Sequence, residues 1–217
     1  SGVATIGLSG LASAGFFGVG TIYAVKAGLS VSETALFMTL FIGFGALSQW
    51  PLGWLSDKID RRKVIMFCCA TVICICIVLA SFEFTSIILL ILSALVGAFT
   101  LPLYSLGVAQ SNDRLEPKQM ISASGTIVLV FSVFAALGPF TMSYFLELFE
   151  MFGFMIYMGI VHLVIAVTVL IMMFINKDVD ESDQSDFQVM AQRPSLVAME
   201  VIAEEAIESQ AQAESDS

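Results

Sequence analysis

Charge is scarce in this sequence: only 13% of its 217 residues are Asp, Glu, Lys or Arg, about half the share found in a soluble domain. Nine bases and a single histidine leave no basic surface on which a phosphate backbone could lie, which excludes a nucleic-acid partner. Cysteine is also sparse. Cys68, Cys69, Cys74 and Cys76 fall together in one apolar stretch, which argues against a secreted disulfide scaffold. No His, Asp or second Cys cluster stands at that depth to complete a metal site, so the four are expected to be buried free thiols packing as small apolar groups. Alternation of apolar and polar residues over about ten positions, the mark of a barrel strand, is missing as well.

What the chain has instead is apolar length, with 58% hydrophobic residues. A membrane-crossing helix needs about 20 mostly apolar residues. Six stretches meet this length: residues 3–25, 33–55, 64–82, 87–108, 120–146 and 152–175. Every charge before residue 176 lies in a link or at a span end, as hydrocarbon requires. The fold class expected is therefore an all-α integral membrane protein, with one six-span bundle over residues 1–175.

The net charge of −10 belongs to a different part of the chain. Of the 19 acids and nine bases, residues 1–175 hold eight and seven, so eleven acids and two bases remain for residues 176–217. That segment reads as an acidic tail, too charged and too poor in apolar residues to build a core. Within it, Pro194 and Ser195 precede a possible short helix over 195–208. Its glutamates would be repelled by anionic lipid.

Bases fix the expected orientation. Lys58, Arg61, Arg62 and Lys63 follow span two, Arg114 and Lys118 follow span four, and Lys177 and Arg193 lie in the tail. Only Lys26 stands on the opposite face. Bases collect on the cytoplasmic side of a membrane protein, so both chain ends are expected there. The chain opens on Ser1 and enters a span almost at once, which reads as a fragment lacking an upstream part.

The link after span two, Gly53-Trp54-Leu55-Ser56-Asp57-Lys58-Ile59-Asp60-Arg61-Arg62-Lys63, carries the most information. Gly53 permits close helix approach, Asp57 offers an acceptor at the membrane surface, and the bases pin the turn. A carboxylate there suits a neighbouring helix N-terminus, whose unpaired N–H groups attract anions. A solvated, topology-setting charge run is the alternative.

Gly53, Leu55, Asp57, Lys58, Arg61 and Arg62 resemble the loop signature of the major facilitator superfamily, found between the second and third helices of each six-helix half. Asp60 departs from it, standing where the family has Gly; Asp tolerates left-handed backbone better than most residues. The approach Ala46 to Gly53, the segment Gly97 to Tyr104 and the pair Gly138-Pro139 are similar to the C-terminal half of its bacterial YcaD-like branch. The resemblance implies helices seven to twelve of a secondary transporter, whose two bundles rock about a midplane site to move a small solute across the lipid bilayer. The partner so implied is a missing N-terminal six-helix half. Asp57 and the bases would form a cytoplasmic latch with it.

By the same resemblance, spans one and four line a central cavity. The candidate contacts are Tyr23, Thr100, Tyr104 and Ser105, with Gln49 near the cytoplasmic end of span two; hydroxyl-tipped aromatics suit a partly polar solute. Pro102 is expected to kink span four and Gly138-Pro139 span five, making both hinge candidates. No acid or base falls mid-span, so either the solute is not gripped by charge in this half or the ionic and proton-coupling groups lie in the missing half; His162 is the proton-coupling candidate within this half. An intramembrane histidine is a functional candidate in its own right. Its competing role is a neutral ring hydrogen-bonded to a neighbouring helix.

No cofactor is implied. An intramembrane hydrolase pairing His162 with Ser122 or Ser124 is disfavoured, because no Gly-x-Ser-x-Gly elbow and no orienting acid are present. A truncated or non-transporting membrane scaffold is the other alternative.

Overall fold

The computed structural model describes residues 2–81, 85–113 and 117–175, with backbone alone for 117–122. Glu83, Arg114, Glu116, the side chains of Lys118 and Ser122, and the whole tail 176–217 with its expected helix at 195–208 lie outside the described residues.

Among the described residues, seven helices follow one another: α1 (Gly2–Lys26), α2 (Val31–Ser56), α3 (Arg61–Ser81), α4 (Ser86–Thr100), α5 (Pro102–Asn112), α6 (Pro117–Phe149) and α7 (Met151–Ile175). Helix is the form apolar sequence takes in hydrocarbon, because it satisfies every backbone N–H and C=O within one segment. With α4 and α5 taken together, six segments are long and apolar enough to cross a membrane. The six-span expectation holds, and Pro102 does break span four, at Leu101. Pro139, by contrast, lies inside an α6 that runs on without a break.

Local chemistry sets the ends. The amide of Gly28 bonds the Val25 carbonyl and that of Leu29 the Ala24 carbonyl, with Gly28 at φ +86°. This is a Schellman cap, which needs a residue free to turn left-handed. Ser30 then starts α2 through a capping box with Glu33.

The bundle closes through small residues. A Cβ on Gly97 of α4 would run into the backbone carbonyl of Phe41 on α2. A Cβ on Gly138 of α6 would stand 2.6 Å from the Leu11 carbonyl of α1. With no hydrophobic drive between helices in lipid, such close backbone approach is what dispersion needs. Ser9 and Ser13 of α1 bond carbonyls of their own helix and are buried.

Aromatic rings fill the interior towards the Tyr23 end of α1. Phe16 stacks on Phe41 at 3.6 Å between centroids, and Tyr23 on Phe154 at 4.2 Å. On α3, Cys68, Cys69 and Cys76 are buried beside Ile65, Val72 and Leu79. Cys74 is exposed, contrary to the expectation that all four thiols are buried. The helical turn of about 100° per residue carries it off the face the others share.

Candidate functional site

The loop after α2 is held by charge. Asp57 caps α2, its amide bonding the carbonyls of Gly53 and Leu55. Four residues on, Arg61 opens α3 and reaches back, its guanidinium 3.1 Å from Asp57. The same guanidinium lies 3.1 Å from Asp113, the residue that caps α5. Three helix ends are thus tied by one cation. Arg61 is 2% exposed and Asp113 6%, whereas Asp57 is 33% exposed. Pairing on both sides is what makes a buried guanidinium tolerable.

Asp60 has a separate task. Its carboxylate accepts from the Arg62 amide at 2.9 Å and from Arg62 Nε at 3.1 Å. That is N-cap behaviour at the start of α3. Its backbone is not left-handed, since Glu150 is the only non-glycine with positive φ among the described residues. Burial pushes the Asp60 carboxyl up, but the hydrogen bonds from Arg62 and the charges of Arg62 and Lys63 outweigh it and hold the group below the ordinary carboxylate range. Of the remaining motif residues, Gly53 is buried, its carbonyl also accepting from the Ser56 hydroxyl, and Leu55 is half-buried. Lys58 lies over the Trp54 ring, 3.8 Å from its centroid.

The candidate cavity residues sit elsewhere, and mostly inside. Tyr23, Thr100, Tyr104 and Ser105 are all buried. Tyr23 belongs to the aromatic stack. Tyr104 packs edge-on against Phe131, with its hydroxyl unpartnered. Ser105 donates to Gln49 Oε1 at 3.3 Å, so these two predicted residues are brought together. Thr100 meets His162, oxygen to Nε2 at 3.2 Å. The gap beside Tyr23, lined by Phe16, Phe37, Ser93 and Phe154, holds about 10 Å³. That is the limit for one water, far below a solute.

Both nitrogens of His162 are engaged, Nε2 with Thr100 and Nδ1 with the Met158 carbonyl. Ser124 is buried on α6, and no Ser–His pair forms among the described residues. The sequence reading missed two partners: Asp113, second acceptor for Arg61, and Ser48, which donates to the Ala98 carbonyl at 2.7 Å. An acid just after span four, level with the basic loop, was the available signal for Asp113.

Comparison with known proteins agrees with this architecture. The family model of the Major Facilitator Superfamily matches residues 3–206, nearly the whole chain. The chain belongs to the Major Facilitator Superfamily. The match runs past Ile175, beyond the region where the motifs resemble the family. Over 132 residues the chain is 29% identical to the "Uncharacterized MFS-type transporter YcaD" of Escherichia coli O139:H28 (strain E24377A / ETEC). The same identity holds for the protein of that name in Escherichia coli O9:H4 (strain HS). Each alignment takes in 61% of this chain and 34% of the relative, so the chain spans about a third of the length of these superfamily members.

Proposed function

We propose that this chain is the second six-helix half of a secondary transporter that moves a small solute by alternating access, with the Asp57–Arg61–Asp113 network at its cytoplasmic gate. The network carries the proposal. A half that rocks as a body must keep its helix ends fastened where the two halves meet and part. Arg61 does this for α2, α3 and α5. Asp57, a third exposed, remains accessible to a helix N-terminus of the other half. The gathering of Lys58, Arg61, Arg62 and Lys63 at this end supports a cytoplasmic placement, with the chain in a bacterial inner membrane.

The solute is partly polar and is not gripped by charge in this half. Tyr23, Thr100, Tyr104 and Ser105 reach it only where rocking opens the packing around α1 and α4–α5, with Pro102 as the bend that allows this. Gly138 and Pro139 serve as a packing site and a weaker bend. The proton-coupling groups belong to the N-terminal half, because both His162 nitrogens already have partners.

Reconstitution tests the reading. A full-length protein carrying this half is placed in proteoliposomes and screened against a panel of small solutes. Asp57→Asn is expected to slow transport while leaving membrane insertion intact; transport at the normal rate would remove the gate. The chain alone should be inactive and recover activity when the first half is supplied. Inactivity in both settings would favour a non-transporting scaffold.

A further inference from the structure

Pro102 has no amide hydrogen, so the carbonyl four residues back, that of Ala98, lacks its helical donor. An orphaned carbonyl at membrane depth must find a partner. It accepts the hydroxyl of Ser48 on α2 at 2.7 Å. Two residues on, Thr100 is the last residue of α4, and its hydroxyl lies 3.2 Å from Nε2 of His162 on α7. Nδ1 of the same ring is 2.8 Å from the Met158 carbonyl. A carbonyl only accepts, so Nδ1 carries the ring proton. Nε2 of the neutral ring is then an acceptor, and Thr100 donates to it. His162 and Thr100 are both 0% exposed, with no route for either bond to be replaced by solvent.

We propose that Ser48 and His162 are positioning residues that hold the break in span four from two different helices, and that His162 does so as a neutral ring protonated on Nδ1. Ser48 replaces the bond Pro102 removes. His162 fixes the last turn of α4, next to the break at Leu101. The assignment rests on the hydrogen bonds alone and stands whether or not the chain transports.

The sequence contains a single histidine, so imidazole ¹⁵N resonances from the full chain in lipid nanodiscs report on this ring alone. The expected spectrum at neutral pH shows one tautomer, with Nδ1 protonated and Nε2 a hydrogen-bonded acceptor. Thr100→Val keeps the side-chain shape but removes the donor, and should shift the Nε2 resonance; Thr100→Ser should restore it. Amide exchange across residues 97–104 gives a second readout. Ser48→Ala and Thr100→Val should each raise it by about two- to tenfold, the usual net worth of one hydrogen bond, while Thr100→Ser stays at the wild-type level. An Nε2-protonated ring, a rapidly exchanging mixture, a doubly protonated ring, or unchanged exchange in Ser48→Ala would each overturn the assignment. Should Thr100→Val fail to fold, the wild-type tautomer and Ser48→Ala still decide it.

Discussion

Arg61 and Asp113 meet at 3.1 Å between the start of α3 and the end of α5, both almost wholly shielded from solvent. Breaking a buried ion pair by removing one partner typically costs about 3–5 kcal/mol, and the Asp57 contact left to Arg61 makes Asp113→Asn the milder of the two losses. Arg61→Gln and Asp113→Asn are therefore each expected to lower the detergent-solubilised Tm markedly. The double variant should lose less than the sum of the two, the signature of direct coupling. Arg61→Lys should recover only part of the loss, since an ammonium cannot fork between Asp57 and Asp113. Additive losses in the thermal melts would mean the contact contributes nothing of its own.

Asp60 lies outside the spans and titrates below the ordinary carboxylate range, with the Arg62 hydrogen bonds outweighing its burial. A depressed folded pKa means the carboxylate favours the folded loop at all pH values above its unfolded pKa of about 3.9. That contribution falls away as pH drops through the lower, folded value. Amide exchange at Arg62 and Lys63, corrected for intrinsic rates, should accelerate on acidification in the wild type. Asp60→Asn should flatten this pH dependence. Asp60→Gly, which restores the residue usual in the superfamily, should flatten it too and cost only a few tenths of a kcal/mol as a cap.

The spans were legible because hydrocarbon permits little else: about 20 apolar residues with charges at the ends have one stable form. The break at Pro102 was legible for a covalent reason, the missing amide. Which face of each helix points inward was not. In a helix apolar all round, no periodicity separates core from lipid; Tyr23, Thr100, Tyr104 and Ser105 were assigned to a cavity from the family resemblance together with residue type, and their burial within the half was not legible. The exposure of Cys74 was hidden by the same want of periodicity. The cap that Asp60 makes on α3 was not legible for another reason: the family pattern has Gly at that position, which carries no side chain to suggest it. The pairings of Arg61 with Asp113 and of Ser48 with Ala98 depend on which helices are neighbours; the close approach at Gly97 sets α4 against α2 and so brings Ala98 to Ser48.

The packing glycines Gly97 and Gly138 differ sharply from others in the bundle. Gly97→Ala would place a methyl against the Phe41 backbone, which cannot yield as a side chain can. Overpacking of this kind costs about 1–3 kcal/mol. Gly43 on α2 has open space around it, so Gly43→Ala should be neutral or gain up to about 1 kcal/mol from helix propensity. Thermal melts of the two variants should therefore move in different directions. Equal losses would show that α2 and α4 do not approach as closely as described.

Thiol chemistry checks the orientation of α3 independently. Cys74 is exposed on the bundle surface, while Cys68, Cys69 and Cys76 are buried among Ile65, Val72 and Leu79. A small, membrane-permeant maleimide should modify one thiol per folded chain in mild detergent, and four after denaturation in SDS. Cys74→Ala should abolish the fast reaction, and Cys76→Ala should leave it unchanged. Intact-mass spectra taken over the time course separate these outcomes. Rapid labelling that persists in Cys74→Ala would require α3 to be turned so that a different face meets the lipid.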